Sequence, residues 1–341
     1  MKKHLNTLFV TTPGSYLAKE GEAVLVRNKG ETTLRVPIHL LESIVCLGPV
    51  GASPHLLGLC GKRNVSVSFL KPNGKFLARV TGFTAGNVLL RKAQYRASED
   101  TQRCLELARI PVQAKLHNCR VVLLRAARDH GDSSGLLSKA ADYLARCISK
   151  AGSSSNLNQL RGIEGESARQ YFGAFHELIR SSETEFQMQG RTRRPPLDRV
   201  NALLSFLYAL LVSDLRSACE TVGLDPQVGF LHGDRPGRPS LALDLMEEFR
   251  PVLCDRTALS LINRQQVKPD GFEVEPTGAV RMHDETRKTL LVQYQKRKQE
   301  EIEHPFLGEK VTLGLVPLIQ VRLFAKTLRG ELDAYPAFLW K

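Results

Sequence analysis

Two short stretches of the sequence carry the residues best suited to chemistry. The first, GIEGESARQYF over residues 162–172, holds Glu164 between two glycines. The second comprises His232, on a loop rich in glycine and proline, and the segment SLALDLMEEFR over residues 240–250. Carboxylates and an imidazole form a donor set for a hard divalent cation, and Mg²⁺ or Mn²⁺ suits it better than zinc, which usually recruits more histidine or cysteine. If the two stretches meet in space, they form a metal site.

The second stretch offers three carboxylates. On a helix after Pro239, Asp244 shares a face with Glu247 and Glu248 because they lie three and four residues further on. His232 can fold back over the start of this helix and join Asp244 and Glu247, whereas we expect Glu248 to point more toward solvent. The alternative is an ordinary acidic surface on a solvated helix.

The carboxylate of the first stretch also has two interpretations. We expect Glu164 to lie at the start of a helix, where a carboxylate interacts favourably with the helix dipole. A capping role is therefore the alternative to metal binding for Glu164 and, more strongly, for Glu166. The flanking glycines favour close approach of backbone or substrate.

The net charge, the apolar runs and the cysteines indicate which partner, location and thiol state to expect. The chain has 341 residues and a formal net charge of +13, which favours a phosphate-rich or acidic partner, although many soluble proteins are simply basic. No apolar run approaches the roughly 18 residues that span a bilayer, and no signal-peptide core follows Met1, so we expect a cytoplasmic protein. The seven cysteines are scattered without a CxxC pair, which predicts buried, reduced thiols rather than a zinc knuckle or disulfides.

The pattern of apolar residues predicts an α+β protein with two domains. Short alternating segments separated by turns indicate a small β-sandwich-like domain over residues 1–84, rather than a parallel sheet. Helical spacing follows, which predicts a larger all-helical catalytic domain over residues 85–341. Within it, Asp198 is placed to cap a long helix that ends near Gly223. No glycine-rich phosphate loop follows a strand, so a nucleotide-binding fold is not expected.

Basic residues flank both stretches on breaker-rich loops and are candidate phosphate contacts, with a solvated basic surface as the alternative. These candidate DNA-binding residues are Arg191, Arg193, Arg194, Arg235 and Arg238. Tyr171 and Tyr208 could stack on a splayed base, but their helical spacing favours a place in the core.

Three motifs in this order resemble a known family. GIEGESARQYF, the apolar segment NALLSFLYALL, and GFLHGDRPGRPSLALDLMEEFRP are similar to the CRISPR-associated integrase, the metal-dependent nuclease of CRISPR adaptation. The closing RGELDAYPAFLW strengthens a likeness to the variant of type I-C systems. The resemblance covers nearly the whole chain.

The resemblance implies site residues, a cofactor and partners. The metal, Mg²⁺ or Mn²⁺, would be held by Glu164, His232 and Glu247, with Asp244 orienting the ligands or a metal-bound water. Many relatives have aspartate where this chain has Glu247. The implied reaction is attack of a free 3′-hydroxyl of a captured DNA fragment on a phosphodiester of a CRISPR repeat. The implied partners are double-stranded DNA and a second copy of the chain, with two homodimers bridged by a small ferredoxin-like adaptation protein.

Two other functions remain open on the sequence alone. A stand-alone nuclease that cuts branched DNA in repair would share the site without joining DNA. A non-catalytic DNA-binding scaffold would tolerate loss of the metal ligands, so the presence of Glu164, His232 and Glu247 together counts against it.

Overall fold

A computed structural model describes residues 7–72, 76–82 and 88–340. The chain divides into two compact units, Met1–Gly86 and Asn87–Lys341. The first is rich in strands and the second is mainly helical, which confirms the predicted α+β class. The sequence also predicts a hairpin turn over Lys71, Pro72, Asn73 and Gly74, and its second half lies outside the described residues.

The first unit contains two four-stranded sheets. Its strands are β1 (Thr7–Val10), β2 (Tyr16–Glu20), β3 (Ala23–Asn28), β4 (Glu31–Pro37), β5 (Ser43–Leu47), β6 (Gly51–Ala52), β7 (Ser66–Leu70) and β8 (Phe76–Val80). One sheet has the order β1-β5-β7-β8 and the other β4-β3-β2-β6. In the first sheet β1, β5 and β7 run parallel, so the expectation that this region would avoid parallel pairing was wrong.

The parallel pairing has a local cause. A parallel connection needs a crossover, and helix α1 (Pro54–Lys62) supplies it between β5 and β7. Ser53 starts this helix by accepting a hydrogen bond from the backbone nitrogen of Leu56 at 3.2 Å. Buried residues of both sheets and of α1 form one core, including Leu17, Ile44 and Leu56.

The second unit is built from nine helices in its described part. They are α2 (Val88–Glu99), α3 (Thr101–His130), α4 (Leu136–Gly152), α5 (Leu157–Gly173), α6 (Arg199–Val222), α7 (Ser240–Met246), α8 (Arg256–Asn263), α9 (Asp284–Gln299) and α10 (Val316–Leu328). Two short hairpins interrupt the helical order, so this unit is not wholly helical. They pair β9 (Phe272–Val274) with β10 (Val280–Met282), and β11 (Glu301–Glu303) with β12 (Lys310–Thr312).

Helix α6 forms much of the core of this unit. Asp198 caps it by accepting from the backbone nitrogen of Asn201 at 2.7 Å, and Gly223 ends it with a φ of +94°, as the sequence predicts. By length and composition α6 could cross a membrane, but 56% of its most apolar window is buried inside the protein. Its apolar character is therefore that of a core helix.

Helix α3 packs against α4, α5 and α7 and spans 30 residues. Pro111 lies inside it. Helix α7 has only 7 residues. It cannot continue regularly because Pro251 has no backbone N–H to donate to the carbonyl group of Glu247, four residues earlier. The chain therefore turns at residues 247–249 and continues as a π-helical turn, Arg250–Asp255. This interruption places two glutamates at a junction beside α3.

Candidate active site

Glu164 lies in the middle of α5 and not at a helix start, so that expectation was wrong. The helix begins earlier, where the side chain of Asn156 accepts a hydrogen bond from the backbone nitrogen of Gln159 at 2.9 Å. Capping therefore does not explain Glu164. A Cβ atom added at Gly162 or Gly165 would meet nothing within 4 Å, so the helix surface on either side of Glu164 is open.

His232 and Asp244 form a tightly bonded pair. Nδ1 of His232 lies 2.6 Å from Oδ1 of Asp244. The same carboxylate accepts hydrogen bonds from the backbone nitrogens of Phe230, Leu231 and His232 at 2.6, 3.0 and 3.0 Å. Because a carboxylate oxygen accepts, Nδ1 is the donor of this pair, and Nε2 is the ring nitrogen left for a ligand. Asp244 therefore fixes both the loop and the imidazole, as the sequence led us to expect of an orienting group.

Gly229 explains how this loop reaches the helix. A Cβ atom there would lie 2.7 Å from the backbone carbon of Ser240 and 2.8 Å from Oδ2 of Asp244. Only glycine lets the two segments approach this closely.

Glu247 is buried between two cations. Its side chain is 2% exposed, and Oε2 lies 2.7 Å from Nζ of Lys115. Oε1 lies 3.1 Å from the guanidinium of Arg250. Lys115 also donates a short hydrogen bond to Glu164. A single buried ammonium group thus bridges the two carboxylates that come from different stretches of the sequence.

These contacts shift the pKa values of Glu247 and Lys115. Burial acts to raise the pKa of Glu247, but the attraction of Arg250 and then Lys115 outweighs it and lowers the pKa to about 2. Burial acts to lower the pKa of Lys115, and the attraction of Glu247 and Glu164 reverses the effect and raises it. Both groups are therefore charged at neutral pH.

The carboxylates of Glu164 and Glu247 and the imidazole of His232 are ligand types that bind divalent cations. Within residues 7–72, 76–82 and 88–340, no three His, Cys, Asp or Glu side chains already converge as a metal cage. Lys115 lies where the two carboxylates approach one another. Oε2 of Glu247 is buried. It forms an ion pair with Lys115 at 2.7 Å, but the angles of this contact are not those of a hydrogen bond. Together with Nε2 of His232, this oxygen is of the donor type that such a cation binds.

Glu248 is the clearest correction to the sequence-based prediction. It does not point toward solvent but is fully buried. It accepts hydrogen bonds from the hydroxyl of Tyr335 and from the backbone nitrogen of Phe338. Burial raises its pKa to about 8, against the opposing effect of these hydrogen bonds. The residues around it, Leu245, Met246, Glu247 and Phe249, are buried as well, so Glu248 lies in the interior of the protein.

Sequence reasoning missed Lys115 and Asn118 on α3. A signal was present, because Leu107, Pro111, Lys115, Asn118 and Val122 follow one another at steps of three or four residues and all are buried. A lysine and an asparagine on an apolar stripe need internal partners. Arg250 was also missed as a partner of Glu247.

The five candidate DNA-binding arginines lie in different environments. Arg193, Arg194 and Arg235 are exposed. Arg238 donates to the carbonyl of Gly233 and so ties the His232 loop together. The fifth, Arg191, donates to Asn201 Oδ1 and Ser205 Oγ at 2.6 and 3.0 Å, so its guanidinium is engaged inside the protein.

The two tyrosines are core residues. Tyr171 and Tyr208 both donate to the buried carboxylate of Asp255, at 3.0 and 2.7 Å. The seven cysteines are likewise buried and reduced, as predicted. Glu166 pairs with Arg169 at 2.8 Å on the exposed side of α5 and takes no part in the cluster.

Comparison with known proteins identifies the family. The model of the family described as CRISPR associated protein Cas1 matches residues 8–296. A CRISPR-associated endonuclease Cas1 of Chlorobaculum tepidum is 52% identical over 343 residues, covering 100% of both chains. Among solved structures, a casposase bound to integration product has a TM-score of 0.85 at 23% identity, covering 99% of this chain and 95% of that chain.

A Cas6-RT-Cas1–Cas2 complex has a TM-score of 0.83 at 22% identity, covering 100% of this chain and 36% of that chain. Likenesses at such low identity concern the fold alone, whereas the family model and the Chlorobaculum relative extend over most or all of the sequence. The chain therefore belongs to the CRISPR-associated Cas1 family of endonucleases.

Proposed function

We propose that this Cas1 protein is a divalent-metal-dependent endonuclease and integrase of CRISPR adaptation, of the kind found in type I-C systems. It would insert captured DNA fragments into the repeat array. The observation that supports this most is that Lys115 bridges Glu164 of α5 and Glu247 at the end of α7. Asp244, on α7 itself, holds His232, whose charge acts on Glu247.

The proposed reaction is a transesterification. The 3′-oxygen of the captured fragment forms a bond to a repeat phosphorus, the bond from that phosphorus to the adjacent repeat 3′-oxygen breaks, and the proton of the attacking hydroxyl ends on the leaving oxygen. With water as the nucleophile, the same site cuts DNA. Glu164, His232 and Glu247 would hold Mg²⁺ or Mn²⁺, which supplies charge neutralisation at the phosphoryl oxygens when bound.

The remaining residues of the site act on these ligands. Asp244 keeps the proton of His232 on Nδ1, which leaves Nε2 as the ligand atom. Arg250 holds one oxygen of Glu247, which leaves the other directed at the cluster. Lys115 supplies positive charge between the carboxylates and must yield its place, at least in part, to a bound cation.

The partners follow from charge and from similarity. The net charge of +13 and the exposed Arg193, Arg194 and Arg235 favour double-stranded DNA. Since the Cas6-RT-Cas1–Cas2 complex shares this fold, we propose that two homodimers of the chain assemble with a small Cas2-like partner in the cytoplasm.

A joining assay tests the proposal. It would combine a 3′-hydroxyl DNA fragment, a duplex carrying the repeat, the partner protein and Mg²⁺ or Mn²⁺. Glu164→Ala and Glu247→Ala are expected to lose joining and to retain DNA binding, while Glu166→Ala, on the exposed side of the same helix, joins at the wild-type rate. Joining at the wild-type rate in either of the first two variants would refute the assignment. Cutting of branched DNA without joining would favour the repair nuclease.

A further inference from the structure

The segment Tyr335–Trp340, here called the tail segment, packs directly beside the turn at residues 247–249. The backbone nitrogen of Phe338 donates to Oε2 of Glu248 at 2.6 Å, and the hydroxyl of Tyr335 donates to Oε1. Both oxygens of a fully buried carboxylate are thus bonded to one short stretch of chain. That carboxylate belongs to the residue next to Glu247.

Asn118 clamps the tail segment to the same turn from the other side. Its amide nitrogen donates to the carbonyl oxygens of Glu248 and Phe338 at 2.7 and 2.9 Å. Its amide oxygen accepts from the backbone nitrogen of Trp340 at 2.8 Å. Asn118 lies one turn along α3 from Lys115, which contacts Glu164 and Glu247. The helix therefore holds the metal-site carboxylates and the tail segment with adjacent side chains.

A buried polar chain fixes the position of Tyr335. Nδ1 of His304 accepts from the backbone nitrogens of Phe306 and Leu307, so Nε2 carries the proton and donates to Gln320 at 3.0 Å. The amide nitrogen of Gln320 donates to the Tyr335 hydroxyl at 2.9 Å, and that hydroxyl donates to Glu248. Three consecutive side chains are therefore linked by hydrogen bonds that end at Glu248.

Aromatic contacts hold the rest of the segment. The ring of Phe338 stacks on that of Phe249 with centroids 5.8 Å apart. Two guanidinium groups contact the ring of Trp340, that of Arg125 at 4.0 Å from the ring centroid and that of Arg256 at 4.6 Å. By contrast, Leu339 is 44% exposed.

We propose that the tail segment is a positioning element of the active site, which fixes the turn carrying Glu247 by holding both the side chain and the carbonyl group of Glu248. Pro251 has removed the helical hydrogen bond that would otherwise order this turn, so its geometry depends on external partners. The tail segment and Asn118 supply them. This inference rests on the proposed metal-binding role of Glu247.

The test is Mn²⁺ affinity, measured by calorimetry on the full-length protein without DNA and well below its melting temperature. Tyr335→Phe removes one hydroxyl that does not touch the ligands, and Leu339→Ala is the matched control on the exposed side of the same segment. We expect Tyr335→Phe to bind Mn²⁺ about 10- to 100-fold more weakly, as is typical when a partner of a metal ligand is lost, and Leu339→Ala to bind as wild type. In DNA cleavage, Tyr335→Phe should lower kcat and leave the KM for DNA unchanged.

The outcomes separate the two proposals. If wild-type protein and Tyr335→Phe bind Mn²⁺ equally, the positioning role is overturned even if the variant melts at a lower temperature. If the wild-type protein binds no Mn²⁺, the metal site itself is overturned, and the positioning role with it. Should Tyr335→Phe fail to fold, Trp340→Leu loosens the far end of the segment instead. Weaker Mn²⁺ binding in that variant supports the proposal, and wild-type affinity contradicts it.

Discussion

The amino group of Lys115 lies 2.7 Å from Oε2 of Glu247, and both side chains are almost fully buried. Because Lys115 also contacts Glu164, it neutralises two carboxylates that would otherwise repel each other. Breaking one side of a buried ion pair commonly costs about 3–5 kcal/mol, since the remaining charge stays buried without a partner.

Replacement of this lysine should therefore destabilise the protein in a way that metal corrects. We expect Lys115→Met to lower the free energy of unfolding by about 3–5 kcal/mol without metal. Saturating Mn²⁺ should stabilise the variant more than wild type, because the cation no longer competes with an ammonium group. Urea unfolding with and without Mn²⁺ measures both effects, with exposed Lys139→Met on α4 as the control. Equal stability of Lys115→Met and wild type in the absence of metal would contradict this account.

Asp244 should control metal affinity without binding metal itself. Asn has one acceptor oxygen where Asp244 receives four contacts, so Asp244→Asn leaves backbone donors and the His232 proton without partners. We expect Mn²⁺ binding to weaken by about 10- to 100-fold, measured by calorimetry. Asp234→Asn, exposed on the same loop, should bind normally. Unaltered affinity in Asp244→Asn would show that the imidazole needs no such support.

The sequence was sufficient to predict the α+β class and the order of a strand-rich region before a mainly helical one. The ends of α6 were predicted because Asp198 and Gly223 are local signals that act within one turn. The interior position of Glu164 was not, because Asn156, the actual cap, lies outside the motif that drew attention. The parallel pairing of β1, β5 and β7 depends on contacts between distant segments, which alternation alone does not specify.

The inward turn of Glu248 shows where sequence reasoning reached its limit. The spacing of four residues puts Glu248 on the same helix face as the buried Asp244, so the expectation of a solvent-facing side chain was wrong. Its partners lie in the tail segment, about 90 residues further along the chain. Pro251, shortly after the acidic pair, was a visible clue. The partners of Glu248 could be identified only in three dimensions.

The buried carboxylate of Asp255 should make stability depend on pH. Burial raises its pKa from 3.8 to about 6, although hydrogen bonds from Tyr208 and Tyr171 oppose the shift. The folded state therefore binds a proton more tightly than the unfolded state, so this group's contribution to stability is greatest below pH 4. It decreases as the pH rises to 6, by about 3 kcal/mol in total.

Comparison with a neutral residue isolates this effect. Asp255→Asn cannot ionise, so its stability relative to wild type should increase by about 3 kcal/mol between pH 4 and pH 7. Urea unfolding of both proteins at four pH values in this range provides the measurement. A difference between the two proteins that stays constant over the range would rule out titration of Asp255.

The exposed arginines should contribute to DNA binding through charge. Each of Arg193→Ala, Arg194→Ala and Arg235→Ala is expected to reduce the slope of log affinity against log salt by about one, if the residue contacts a phosphate. Arg191→Ala should instead lower stability, because its guanidinium bonds Asn201 and Ser205. Fluorescence anisotropy over a salt series measures the slope. A slope equal to that of wild type in all three exposed variants would remove this surface from the DNA interface.

The central claim is that Glu164, His232 and Glu247 form one metal-dependent active site. The most direct measurement is the rate of DNA cleavage as a function of Mn²⁺ concentration, for wild type, Glu164→Gln and Glu247→Gln, with Glu166→Gln as the control. We predict no cleavage by wild type in the presence of a chelator and saturable activation by Mn²⁺. The cleavage rate of each site variant should fall by more than the roughly 10- to 100-fold that is typical when a residue supporting a metal ligand is lost. The control should cleave at the wild-type rate. Cleavage that persists in chelator, or wild-type rates in either site variant, would contradict the account.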